Sequence, residues 1–161
     1  MQQIVPNLWI NDGKIEEAVD FYCSLFENSR VTSSTEYGPD AGEYAGQKMG
    51  VYFELQGQPY VAINGGHVRF EANESVSFAI KCDTQAEIDR LWDALVEGGE
   101  PGPCGWLKDR YGFSWQVYPT ALDKMMADSD PERVQRVTQC FMAIDKRAFR
   151  IDELEAAFEG R

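Results

Sequence analysis

Four cysteines and one histidine are the side chains of this 161-residue chain best suited to nucleophilic or metal chemistry. Cys23, Cys82, Cys104 and Cys140 lie far apart, and no Cys-x-x-Cys pair frames a zinc ion. Cys23 falls in a helical pattern and Cys82 at the end of a strand pattern, where free thiols act as small buried apolar groups. Any Cys–His pair or Ser-His-Asp triad would have to use His67. That residue stands between Gly65-Gly66 and Val68-Arg69-Phe70, which reads as an exposed loop or strand edge. A single imidazole also excludes a zinc or iron site built on two or more histidines.

Charge narrows the partners. There are 15 Lys and Arg against 27 Asp and Glu, a net charge of −12. Such an excess repels phosphate backbones and anionic lipid heads, so neither nucleic acid nor membrane is an expected partner. Hydrophobic residues make up 43% and aromatics 12%, enough for a packed core and unlike a disordered chain. No run approaches the roughly 18 apolar residues of a membrane span, and Met1-Gln2-Gln3 begins no signal peptide. A soluble, cytoplasmic protein with one compact domain is the expectation.

The elements that must position any site come in two similar halves. Ile4 to Ile10 reads as a strand, ending in a turn at Asn11-Asp12-Gly13 that holds a helix N-cap candidate. From Lys14 to Phe26, Ile15, Ala18, Val19, Tyr22 and Phe26 recur at helical spacing. Arg30 to Thr35 predicts an exposed strand, Tyr37 to Gln47 a Gly-rich mobile loop, and Met49 to Leu55 a period-two strand. Gln56-Gly57-Gln58 turns that strand into a hairpin with Pro59 to Asn64. The second half repeats this: a strand over Val76 to Ile80, then a helix with Thr84 and Glu87 spaced as a capping box. Ile88, Leu91, Trp92 and Leu95 form its stripe, and Gly98-Gly99 ends it. Short strands follow around Cys104–Lys108 and Ser114–Tyr118. Asp12 and Asp83 mark the two strand-to-helix junctions 71 positions apart, and Phe21 and Trp92 share that offset, as in an internal duplication. Beyond Thr120, Asp130 and Pro131 open a helix striped by Val134, Val137, Phe141 and Ile144, and a short last helix carries Leu154 and Phe158.

Several strings along this frame resemble PhnB-like proteins, a branch often labelled demethylubiquinone methyltransferase-like. They are Asn7-Leu8-Trp9, Glu16-Glu17-Ala18, Phe21-Tyr22, Gly57-Gln58-Pro59, Asn64-Gly65-Gly66 and Cys82-Asp83 with Glu87 to Arg90. The most specific are Cys104 to Asp109 and Gly112 to Val117. The branch lies within the glyoxalase, bleomycin-resistance and dioxygenase (vicinal oxygen chelate) superfamily. The resemblance implies an α+β fold of two tandem βαβββ modules, residues 1–70 and 71–119, whose mixed sheets curl around a cavity. Residues 120–161 would then form a C-terminal helical extension.

Superfamily enzymes commonly hold a divalent ion with two His and two Glu or Gln. By resemblance the first-strand position falls at Asn7, its counterpart near Ser77, the hairpin position near Asn64, and the last at Gln116 after Trp115. Neutral amides and a hydroxyl are weak ligands and do not offset desolvation of a divalent cation. No metal and no cofactor are therefore expected. The expected ligand is a small aromatic or quinone-like molecule, bound by Asn7, Asn64, Ser77 and Gln116 among Trp9, Tyr52 and Trp106, with Tyr60 and Trp115 as further aromatics. Glu54, Asp109 and His67 are the candidate bases should it turn over, and Lys108, Asp109 and Arg110 could gate the mouth. A metal-dependent lyase, isomerase or dioxygenase is the alternative. Literal methyl transfer lacks support, because Gly65-Gly66 and Gly98-Gly99 do not form the Gly-rich strand-to-helix turn it needs. A homodimer is expected from the resemblance and from the stripe of Val134, Val137, Phe141 and Ile144, which would seek a partner surface.

Overall fold

In the computed structural model, which describes residues 3–161, the alternating patterns become two four-stranded mixed sheets. Met1 and Gln2, which open the stretch read as no signal peptide, lie outside the described residues. The chain divides into two units that meet between Glu71 and Ala72.

The first unit runs β1 (Asn7–Ile10), α1 (Ile15–Leu25), β2 (Arg30–Glu36), β3 (Lys48–Leu55) and β4 (Gln58–Asn64). Its sheet order is β1-β4-β3-β2, with β1 parallel to β4 and the other pairs antiparallel. Ile15, Ala18, Val19 and Tyr22 of α1 are buried, as are Leu8, Ile10, Val51, Phe53, Leu55 and Ala62 of the sheet. Each of the larger of these side chains taken from water contributes about 1.5–3 kcal/mol, and the alanines about 0.8 kcal/mol. The N-cap expected at Asn11-Asp12-Gly13 does not form. Lys14 holds that position without a side-chain bond, while Asp12 takes a left-handed φ of 62° and pairs with Arg69. The Tyr37–Gln47 stretch is tied rather than loose: Tyr37 N–H donates to the Gln47 carbonyl at 2.9 Å, Gly46 N–H to Tyr37 at 3.1 Å, and a 3-10 turn spans Gly42–Tyr44.

The second unit repeats the plan: β5 (Ser77–Cys82), α2 (Gln85–Val96), β6 (Glu100–Pro101), β7 (Trp106–Lys108) and β8 (Ser114–Pro119) in the order β5-β8-β7-β6. The capping box is present, with Thr84 accepting from Glu87 N–H and the Glu87 carboxylate accepting from Thr84 N–H. Cys82, Ile88, Leu91, Trp92, Leu95, Leu107, Trp115 and Val117 are buried. The α+β, two-module fold read from the sequence is the fold found.

Three further helices, α3 (Thr120–Met126), α4 (Pro131–Met142) and α5 (Ile151–Glu159), belong to the second unit. Asp130 caps α4 by accepting from Glu132 N–H, with Pro131 in the first turn. Arg136 donates to the Ala157 and Phe158 carbonyls at 2.9 and 3.0 Å, satisfying orphan acceptors at the end of α5. Val137 and Ile144 are buried within this same chain. The stripe expected to meet a second subunit thus spends its two deepest members on intramolecular packing. Among the described residues, no helix is long and apolar enough to cross a membrane.

Candidate functional site

Side chains alternate across a strand, so register alone sorts the expected site residues into faces. In the second sheet Trp115 and Val117 are buried on the side that carries α2, which leaves Gln116 and Tyr118 on the open side. Gln116 pairs in register with Ala79 and Trp106, and Ser114 pairs with Ser77 and Lys108. Ser77, Trp106 and Gln116 therefore share one face. Gln116 Nε2 donates to Ser77 Oγ at 2.8 Å, which links the two expected polar groups directly.

The first sheet is sorted in the same way. Leu8, Ile10 and Ala62 are buried against α1, so Asn7, Trp9 and Tyr52 fall on the open face, where Tyr52 is 42% exposed. Trp9 is anchored there, with its Nε1 donating to the Val68 carbonyl at 3.0 Å and its ring edge-on to Phe70 at 5.0 Å. Asn7 Nδ2 is turned back to the Val5 carbonyl at 2.9 Å.

Asn64 needs correction. It pairs with Ile10, sits on the helix side, and is 4% exposed. Its Nδ2 donates to the Lys48 carbonyl at 3.1 Å and its Oδ1 accepts from Gly66 N–H at 3.1 Å. A buried amide so engaged holds the end of the hairpin and does not reach the open face. Tyr60 and Trp115 fall on the helix side for the same reason of parity: half-buried Tyr60 stacks on Phe53 at 5.4 Å, and its partial burial pushes the phenol pKa up. Trp115 is 3% exposed.

The candidate bases fare differently from one another. Asp109 is no rim acid: it is 3% exposed and accepts from Tyr111 N–H at 2.8 Å, Phe113 N–H at 3.0 Å and Trp115 Nε1 at 2.8 Å. That is a turn anchor, which takes Asp109 out of the gating triplet, while Lys108 pairs with Glu74 at 2.8 Å and Arg110 with Glu97 at 3.2 Å. Glu54 pairs with Arg30 at 3.0 Å, and exposed His67 meets Glu43 at 2.7 Å with the Tyr44 ring beside it. The thiol of Cys82 is pushed up to about 11 by burial, which removes it as a nucleophile near neutral pH.

On the open side of the second unit lies a cleft of about 240 Å³. Trp106, Gln116 and Tyr118 form one wall, and Leu122, Phe141 and Phe149 form another, with Cys104 and Asp123 at its edges. Asp123 pairs with Lys81 at 2.6 Å, and that hydrogen bond holds the lysine above its ordinary pKa, so the pair brings no net charge. The sequence reading did not single out Tyr118, although it lies two positions after Gln116 on the same face. Nothing local marks Leu122, Phe141 or Phe149, which reach the cleft only through tertiary packing.

The donor set does not suit a divalent ion. On this face Ser77 and Gln116 are neutral and bonded to each other, and Lys81 and Lys108 share it as partners of the Asp123 and Glu74 carboxylates. Among the described residues no three His, Cys, Asp or Glu side chains converge. Transition metals need more basic ligands than these.

Comparison with known proteins fits this architecture. The family model for 3-demethylubiquinone-9 3-methyltransferase matches residues 2–118. A search of curated proteins gives no match. A solved structure from Bacillus cereus, described as a putative 3-demethylubiquinone-9 3-methyltransferase and PhnB protein, is 32% identical with a TM-score of 0.65, covering 74% of this chain and 100% of that one. Protein PA1353 from Pseudomonas aeruginosa is 25% identical with a TM-score of 0.61, covering 74% and 98%. The fosfomycin resistance protein FosX from Listeria monocytogenes shares the fold at 15% identity and a TM-score of 0.53, covering 79% and 98%. The match over residues 2–118, on two modules of the same sheet order, makes this chain a member of the PhnB-like 3-demethylubiquinone-9 3-methyltransferase family, within the vicinal oxygen chelate superfamily.

Proposed function

We propose that this protein is a binding protein or cofactor-less enzyme for a small aromatic or quinone-like molecule, held on the open face of the second sheet without a metal ion. The observation that carries the reading is the convergence of Ser77, Trp106 and Gln116 on one face beside a cleft lined by aromatic and polar side chains together. An indole and a hydrogen-bonding amide are the combination that orients a flat, partly apolar ligand. Asn7, Trp9 and Tyr52 form a second set on the first sheet and enter the proposal as a separate contact surface. The methyltransferase wording in the family's description does not carry over. Methyl transfer needs a Gly-rich strand-to-helix turn for its cofactor, and the turn after β1 is Asn11-Asp12-Gly13.

The test is a thermal-shift screen of neutral phenols and quinones, run on protein treated with EDTA and on protein resupplied with Mn²⁺, Ni²⁺ or Zn²⁺. A ligand at about a hundredfold excess over its Kd stabilises by ~2.7 kcal/mol, which is several degrees in Tm. The expected result is the same shift with and without the chelator. Stoichiometric metal retained through purification, with ligand shifts abolished by EDTA, would replace the reading with a metal-dependent lyase, isomerase or dioxygenase.

A further inference from the structure

Ser114 opens β8 two positions before Gln116, so its side chain leaves the sheet on the same open face. Across that face it stands in register between Ser77 of β5 and Lys108 of β7. It is nevertheless 2% exposed, and its hydroxyl has no hydrogen-bond partner among the described residues. A hydroxyl buried unpaired destabilises the fold, and native proteins rarely keep one that serves nothing. Packing alone does not require it, because an alanine would occupy the same place without a polar atom to satisfy.

An ion pair spans this end of the face. Glu74, in the turn ahead of β5, meets Lys108 Nζ at 2.8 Å. The pair ties together the two strands that flank β8, at the end where Ser114 stands. A cleft of about 350 Å³ adjoins it, lined by Glu74, Pro101, Pro103, Trp106 and Lys108 among others. Ser114 lines neither this cleft nor the one beside Gln116 and Tyr118. Glu74 lies in a stretch with neither helix nor strand, so it is the partner better able to swing away.

We propose that Ser114 is a further binding residue of the ligand site, its hydroxyl kept for an oxygen of the ligand, and that the Lys108–Glu74 pair is the latch over it. The inference rests on the function proposed above and deepens it. A serine hydroxyl both donates and accepts, so a phenol hydroxyl or a quinone carbonyl completes it equally well. Trp106, two residues before Lys108 on the same face, offers the ring an apolar surface beside that contact.

Stability and binding should move in opposite directions in Ser114→Ala. Without ligand the variant should melt about 2–4 °C above the wild type, because the unpaired hydroxyl is gone. In calorimetry its binding of 4-methoxyphenol should weaken by about five- to tenfold. Binding of 4-methylanisole, which has a methyl in place of that hydroxyl, should stay the same. Glu74→Gln loosens the latch, and stopped-flow fluorescence should show 4-methoxyphenol associating several-fold faster than with wild type. Added salt screens the pair, so it should speed association in the wild type and leave Glu74→Gln unchanged. A lower melting temperature in Ser114→Ala would mean the hydroxyl serves the fold, and the assignment would be overturned. No preference of the wild type for 4-methoxyphenol over 4-methylanisole overturns it too. Equal, salt-independent rates in wild type and Glu74→Gln overturn the latch. If Ser114→Ala binds like wild type while Gln116→Leu binds more weakly, the proposed function stands without Ser114. If no compound of the wider phenol and quinone screen binds the wild type, that function fails, and this inference with it.

Discussion

Asp109 shows how a residue type that suggests chemistry can be consumed by architecture. Its carboxylate is buried and accepts three N–H donors, two from the following turn and one from the Trp115 indole. Charge-assisted bonds of this kind contribute about 1.5–3 kcal/mol each, and an amide would present its NH₂ to one of those donors. Asp109→Asn should therefore destabilise the protein by roughly 2–4 kcal/mol in urea unfolding and shift Trp115 fluorescence. A neutral outcome would return Asp109 to the list of candidate bases. Cys82 gives a second prediction at this scale. Burial raises its thiol to about 11 from the 9.0 of a free thiol, so the native state holds the proton more tightly than the unfolded chain. Its contribution is complete below pH 9.0 and is lost as pH rises toward 11. The stability difference between wild type and Cys82→Ala should shrink across that window and stay flat below it.

At the level of elements, the capping box is the plainest case of chain writing structure. Thr84 and Glu87 are spaced so that each side chain can satisfy the other's backbone N–H, and α2 begins there. Thr84→Ala should cost about 1 kcal/mol in chemical denaturation. α1 has no such device, and Asp12, in the turn expected to hold its cap, pairs instead with Arg69. Helical and strand periods were legible because they arise from burial on one face, which the chain repeats residue by residue. Parity was legible too, but was not applied at Asn64. Two positions apart on one strand, Ala62 and Asn64 share a face by sequence alone, and the full burial of Ala62 in the structure makes that the helix side. The two-residue β6 and the short α3 could not be read, since neither is long enough to establish a period. The cleft walls were illegible for a different reason: Phe141 looks like any member of an apolar helix stripe until its packing partners are known.

For the molecule as a whole, the repeated sheet order and the family match agree, and what remains is how the units are bounded. A homodimer stays a proposal carried by the family resemblance, now without the stripe argument, since Val137 and Ile144 are buried within their own unit. Light scattering coupled to size exclusion should give twice the 18.2 kDa of one chain. The boundary itself makes a sharper prediction. His67 to Val76 is exposed and has neither helix nor strand, while most other glutamates lie in helices, strands or the hydrogen-bonded Tyr37–Gln47 stretch. Proteases need an extended, accessible backbone, so local exposure and missing backbone bonds select the first cut. A Glu-specific protease at low dose should cleave first after Glu71 or Glu74, and mass spectrometry should find fragments that meet there. First cleavage after Glu43 instead would mean that the 3-10 turn and its bonds to Tyr37 and Gln47 open more readily than the stretch between the units, and the unit boundary would have to be sought elsewhere.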